Sequence, residues 1–202
     1  MLKQMRILIG SYYLYPYPGS GGAERQGYLL AKALHKIGVS VSYVCARMPG
    51  QPAYEIIEDI PVYRAFTGIN LPLGPFRPLL FYMSLKSFLL KNGKEFDIFQ
   101  AQGVWEVVAP AMVQAAHRLG KYAIVRYASL NDMDYLRSIF GIGRWLPSLL
   151  IKADRHITNS DLTYKEMICH YGLPEKKCSV IPNMIEIPDR QKKTRLRKRD
   201  CH

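Results

Sequence analysis

Short apolar runs alternate with amphipathic stretches along most of the chain. Met5–Gly10 is a mostly apolar run that ends at a glycine, the pattern of a buried strand. From Ala23 to Ile37, Leu30, Leu34 and Ile37 recur three to four residues apart and leave Arg25, Lys32 and Lys36 for solvent, which predicts a helix. Val39–Cys45 alternates and is rich in β-branched residues, so it reads as a second strand. A loop at 47–53 precedes Ile56–Ile60 and Pro61–Phe66, a third strand region shaped as a small hairpin or a bulged edge. The proline-rich stretch Leu71–Pro78 leads to a helix over about 79–92, and Asp97–Gln100 reads as a short strand. A helix from about Trp105 to Leu119 closes at Gly120, and Tyr122–Tyr127 is the next strand. A polar loop at 128–132 opens helical material from about Tyr135 to Lys152. His156–Asn159 is a strand, Ser160 is a good N-cap for a helix closed by Gly172, and Ser179–Pro182 is the last strand.

Strands and helices in alternation predict an α/β fold: a Rossmann-like, doubly wound, mostly parallel sheet with helices on both faces. Such sheets bind ligands outside the carboxyl ends of their strands. Five loops follow strands at that rim: Gly19-Ser20-Gly21-Gly22, Gln102-Gly103, 128–132, Asn159-Ser160 and Asn183. The first is the most informative, because strand, glycines and helix come in the order that aims backbone N–H groups and a positive helix end at an anion. It matches neither GxGxxG nor GxxxxGK[ST], so a phosphate or sugar site and a plain tight turn are both open readings.

The 202 residues suffice for one good-sized domain or two small ones, and 49% hydrophobic content excludes global disorder. The net charge is +12, and half of that excess sits in residues 190–202, where seven Lys/Arg face Asp200 alone. The remaining, mildly basic body fits an anionic substrate or an anionic membrane surface. Because the tail lacks interleaved aromatics, nucleic acid is a poor candidate partner. A non-catalytic Rossmann-like module whose basic tail binds nucleic acid or protein stands as the alternative. Cys45, Cys169, Cys178 and Cys201 show no CxxC spacing, which suits a reduced, cytoplasmic chain. The five histidines lack ligand spacing, so no metal site is expected; His35 and His117 fall on helices as surface residues. The apolar run after Lys3 and Arg6 is too short for a signal peptide, and Arg77 and Lys86 interrupt Leu71–Leu90, which excludes a membrane span there.

Several segments resemble, in order and spacing, the N-terminal half of family-four glycosyltransferases. They are Gly21-Gly22-Ala23-Glu24, Ala153-Asp154-Arg155, Asn159-Ser160, Tyr171-Gly172-Leu173-Pro174 and Val180-Ile181-Pro182-Asn183. The resemblance covers about residues 5–188. It implies one half of a retaining, GT-B fold enzyme whose substrate is a nucleotide-diphosphate sugar, with no cofactor and no required metal. By the same resemblance, the Gly21 and Gly22 amides lie beside the donor diphosphate and sugar, with Glu24 either at the ligand or merely complementing the helix dipole. Asn159 and Ser160 resemble the segment that faces the cleft, Gln102 follows a strand at the same rim, and Asn183 resembles the hinge asparagine. Met184 and Glu186 depart from the usual hinge residues. The histidine that the family often has in the loop after the strand equivalent to Tyr122–Tyr127 is absent, leaving Asn131 and Asp132 to bond sugar hydroxyls, or Asp132 to act as a cap.

The resemblance further implies that residues 1–188 form the acceptor-side domain. Residues 189–202 resemble the basic helix that opens a second, donor-binding domain, supplied by further sequence or a partner chain. The isolated chain is expected to fold without transferring sugar. The acceptor is a sugar or a lipid-linked sugar, at the inner face of the membrane in the second case. Peripheral membrane contact would need Tyr12, Tyr13, Leu14 and part of Leu71–Phe81 exposed together near Arg77, Lys86 and Lys91. Otherwise these residues, with Met83, Leu85, Phe88 and Leu89, pack the sheet, and the tyrosines line a sugar site.

Overall fold

A computed structural model describes residues 5–67, 76–104, 107–139 and 143–185. Arg6–Gly10 forms β1, Gly22–Lys36 α1 and Ser40–Arg47 β2. Tyr54–Ile57 (β3) and Ile60–Thr67 (β4) are an antiparallel hairpin, the third strand region expected from the sequence. Its two-residue turn, Glu58-Asp59, has positive φ at both positions (47° and 63°), which matches the twist of the paired strands. Arg77–Asn92 is α2, Ile98–Gln102 β5, Val108–Arg118 α3 and Tyr122–Tyr127 β6. Asp132–Ser138 (α4) and Leu146–Leu150 (α5) precede Arg155–Thr158 (β7), Asp161–Lys165 (α6) and Cys178–Val180 (β8). After α6 the chain makes one π-helical turn, Glu166–His170, and closes at Gly172 with φ 67°.

The sheet has the order β3-β4-β2-β1-β5-β6-β7-β8, parallel throughout except for β3 against β4. The chain leaves β1 toward β2 and later returns to β5 on its other side, so the order reverses between β1 and β5. A crevice opens at such a switch point, and it is there that ligands of doubly wound sheets sit. The period-two alternation of β1 sends its side chains to two separate cores. Leu8 packs with Phe99, Val125 and the buried faces of α2 and α3, while Ile7 and Ile9 pack with Val41, Tyr43, Ile60 and Ala31. Both faces of the sheet are covered, as its near-continuous apolar strands require.

The helical material expected over Tyr135–Lys152 is two short helices. The backbone turns extended at Ile139, and Pro147 sits in the first turn of α5, where its missing N–H costs nothing and its ring prevents continuation of an earlier helix. Among the described residues, the joint exposure of Tyr12, Tyr13 and Leu14 required for membrane contact does not occur. Tyr12 and Leu14 are buried, and Tyr12 packs edge-on against Phe81 at 5.1 Å between ring centroids. Phe81, Leu85 and Leu89 are core residues of α2. An amphipathic helix needs its apolar face to join the sheet, and that demand takes Phe81, Leu85 and Leu89, while Phe76, Leu80 and Met83 stay exposed. Among the described residues no helix is long and apolar enough to cross a membrane. The approach segment Leu71–Gly74, Trp105, Glu186 and the basic tail 189–202 lie outside the described residues.

Candidate active site

A cleft of about 380 Å³ opens at the carboxyl ends of β1, β5 and β6. Tyr12, Tyr13 and Gly19 of the loop after β1 line one side, together with the first turns of α1, Gly21–Glu24 and Gln26. Gln102-Gly103 after β5 forms the floor, and Arg126, Ala128, Ser129 and Asn183 complete the opposite side. The loop after β1 is tied to β2: Ser11 N donates to Val44 O at 3.2 Å and Ala46 N to Tyr12 O at 2.9 Å. The Ser11 hydroxyl lies 2.7 Å from the buried Tyr43 hydroxyl and bonds the Tyr13 carbonyl, which positions Tyr13 at the cleft with its ring stacked on Tyr17.

Helix α1 begins at the cleft with Gly21 as its N-cap. Glu24 reaches back so that Gly21 N donates to its carboxylate at 2.8 Å. The place the sequence suggests for an anion is thus held by a carboxylate of the same helix, and the Gly22 and Ala23 amides belong to the first turn, which lacks intrahelical acceptors. Gly27 brings α1 down onto the sheet. A Cβ there would lie 2.7 Å from the Tyr43 hydroxyl and 2.8 Å from Gln102 Cγ, closer than packed carbon tolerates. Gln26 crosses the mouth of the cleft: its amide donates to Met184 O at 2.9 Å and accepts from Met184 N at 2.7 Å.

Arg126 is the charged residue at the inner end of β6 and is only 8% exposed. Its Nη2 donates to Ile181 O at 2.8 Å, Pro182 O at 3.3 Å and Asn183 Oδ1 at 3.0 Å. Burial alone lowers its pKa, because it disfavours the charged form. Register pairs Arg126 with Gln102 on β5, whose buried Oε1 has no hydrogen-bond partner among the described residues.

The structure therefore gathers Gly21, Gly22, Glu24, Gln102 and Asn183 at one cleft. Asn159 stands behind it, donating to Ala128 O at 2.7 Å and accepting from the Thr163 hydroxyl at 3.2 Å. Ser160 caps α6 by accepting from Thr163 N at 3.2 Å. Neither Asn159 nor Ser160 lines the cleft. Asp132 is 2% exposed, and its carboxylate accepts from Ala128 N at 2.9 Å, Ser129 N at 3.2 Å and the Ser129 hydroxyl at 2.7 Å. It holds the loop in shape and does not line the cleft. Asn131 adopts the left-handed region at φ 61°, its N–H bonded to Glu166 at 2.9 Å, and also lies off the cleft. Sequence reasoning passed over Arg126 and Gln26. A lone arginine near the carboxyl end of an otherwise apolar buried strand was the signal for the first; Gln26 carried none. Among the described residues no group of His, Cys, Asp and Glu is placed to hold a metal ion.

The family model of Glycosyltransferase Family 4 matches residues 20–187. Solved structures with the same fold include sucrose-phosphate synthase from Thermosynechococcus elongatus, 15% identical, TM-score 0.64, covering 96% of this chain and 52% of its own. The Anabaena protein HepE in complex with UDP and glucose is 16% identical at TM-score 0.62, with coverage of 96% and 50%. The lipopolysaccharide outer core galactosyltransferase WaaB is 19% identical at TM-score 0.59, with coverage of 91% and 47%. The chain spans about half the length of each. Comparison with curated proteins gives no match. These neighbours have the GT-B fold, and the doubly wound sheet corresponds to one of its Rossmann-like halves. With its family match over most of its length, the chain belongs to Glycosyltransferase Family 4.

Proposed function

We propose that this domain is the acceptor-side half of a glycosyltransferase that moves a sugar from a nucleotide-diphosphate sugar to an acceptor hydroxyl, with retention of configuration. The observation that carries the reading is the cleft at the switch point of the sheet, where the start of α1 meets the ends of β5 and β6. As the sugar leaves, negative charge grows on the diphosphate. The amides of Gly22 and Ala23 and the positive end of α1 offset that charge without reorganising. The Glu24 carboxylate, now on the Gly21 amide, gives way to a phosphate oxygen and frees a further donor. Tyr13 and Ser129 flank the space left for the acceptor. The reaction calls for no cofactor. HepE was solved with UDP and glucose, which supports a nucleotide sugar as the donor here. A second domain, in the same polypeptide or a separate chain, completes the donor site, so the 202 residues alone turn over no donor.

NMR titration of the chain with UDP tests the donor half of this reading. Shifts centred on Gly22, Ala23 and Gly103 support it; shifts elsewhere, or none at millimolar UDP, overturn it. Steady transfer or donor hydrolysis by the chain alone would refute the division between two halves.

A further inference from the structure

The proposed donor site leaves one strong charge in the cleft unused. Arg126 is buried, forms no ion pair among the described residues, and gives its Nη2 to three neutral acceptors on Ile181, Pro182 and Asn183. Those bonds fix the plane of the guanidinium and leave the Nε and Nη1 donors uncommitted. A buried cation without an anionic partner is costly, and the cost falls when a ligand supplies the oxyanion. Beside it, in register on the neighbouring strand, the Gln102 side chain lines the same cleft with its Oε1 unpartnered. Adjacent strands lie about 4.8 Å apart, so one sugar ring can span the two side chains. By the same spacing β6 stands about 10 Å from β1, whose loop leads into α1, so an anion at Arg126 is a second locus, distinct from the donor diphosphate.

We infer that Arg126 and Gln102 form an acceptor subsite for a sugar that carries a phosphate or carboxylate group. Arg126 holds the oxyanion through a single charge-assisted hydrogen bond from one of its uncommitted donors, and Gln102 takes a hydroxyl of the same sugar. The inference rests on the glycosyltransferase reading and narrows its acceptor to an acidic one.

Affinities of the chain for glucose 6-phosphate, glucuronate, glucose and UDP, compared with those of Arg126→Gln and Arg126→Lys, test it. Both acidic sugars should bind on the order of tenfold more tightly than glucose, the gain of a charged hydrogen bond. Whichever binds tighter identifies phosphate or carboxylate as the native group. Arg126→Gln should reduce both to the level of glucose while UDP affinity stays within about twofold, and Arg126→Lys should keep part of the preference. Equal binding of glucose and the acidic sugars overturns the subsite while UDP binding keeps the donor reading intact. If neither the sugars nor UDP bind, both readings fall. If Arg126→Gln weakens UDP by as much as the acidic sugars, the residue serves the donor and the inference is wrong. Because the substitutions also release residues 181–183, the unaltered chain provides an independent check. Glucose 6-phosphate, unlike glucose, should slow phenylglyoxal modification of Arg126 several-fold, and equal rates would overturn the assignment.

Discussion

On the α1 side of the cleft, glycines and a short helix start present backbone donors, and the carboxylate that meets them is a flexible side chain of the same turn. Across the cleft, Ser129, Asp132, Asn159, Ser160 and Thr163 are as polar, yet they hydrogen-bond one another and the backbone behind the rim. The α1 side leaves backbone donors at the cleft, whereas these five residues spend their polarity on holding a loop. Polar residues that follow strands at the same edge thus divide according to where their partners lie, and residue type alone does not separate them.

The comparison breaks most visibly at Asp132. If the far side is scaffold, Asp132→Ala strands three donors in a buried loop and should cost about 4 kcal/mol in urea-induced unfolding. A loss below about 1 kcal/mol would show that the carboxylate is available to ligand. His156, beneath the same side, gives a pH signature. Its ring is buried against the Tyr127 hydroxyl at 3.2 Å, and burial pulls its pKa down to about 4. The unfolded chain therefore takes up this proton first. Stability should fall as pH drops from about 6.5 to about 4, by on the order of 3 kcal/mol, and level off below. In His156→Gln the portion of the pH dependence in that window should vanish. The smallest effect on stability belongs to the α1 side. A Cβ at Gly22 meets nothing within 4 Å, so Gly22→Ala should leave unfolding unchanged or raise stability by up to about 1 kcal/mol. If the glycine admits a phosphate to the backbone, UDP binding should nonetheless weaken several-fold. Unchanged binding would move the donor away from this turn.

The strands, the hairpin, the Ser160 cap and the helix closure at Gly172 were legible because each follows from period, β-branching or a local cap within a few residues. The gathering of Gly21, Gly22, Gln102 and Asn183 followed from strand order, since loops at carboxyl ends of parallel strands converge whatever their sequence. The inward turn of Asp132 was not legible, because the loop that bonds it is polar in either orientation. Arg126 depends on carbonyls 55 to 57 residues away, and Gln26 on Met184, 158 residues away. Such pairings appear only once the sheet is assembled. The failed joint exposure of Tyr12, Tyr13 and Leu14 has the same origin. Tyr12 and Phe81 look amphipathic apart, and their contact removes both from solvent.

The missing side chain at Gly27 has a consequence for how this cleft can change over evolutionary time. Helix α1, Tyr43 and Gln102 touch where that side chain would stand, so wall and floor of the cleft are one mechanical piece. A lineage that enlarged the residue at Gln102 to suit a different ligand would push against the helix that carries the glycine turn. Drift at either position is coupled to the other, and the two proposed ligand loci can diverge only together.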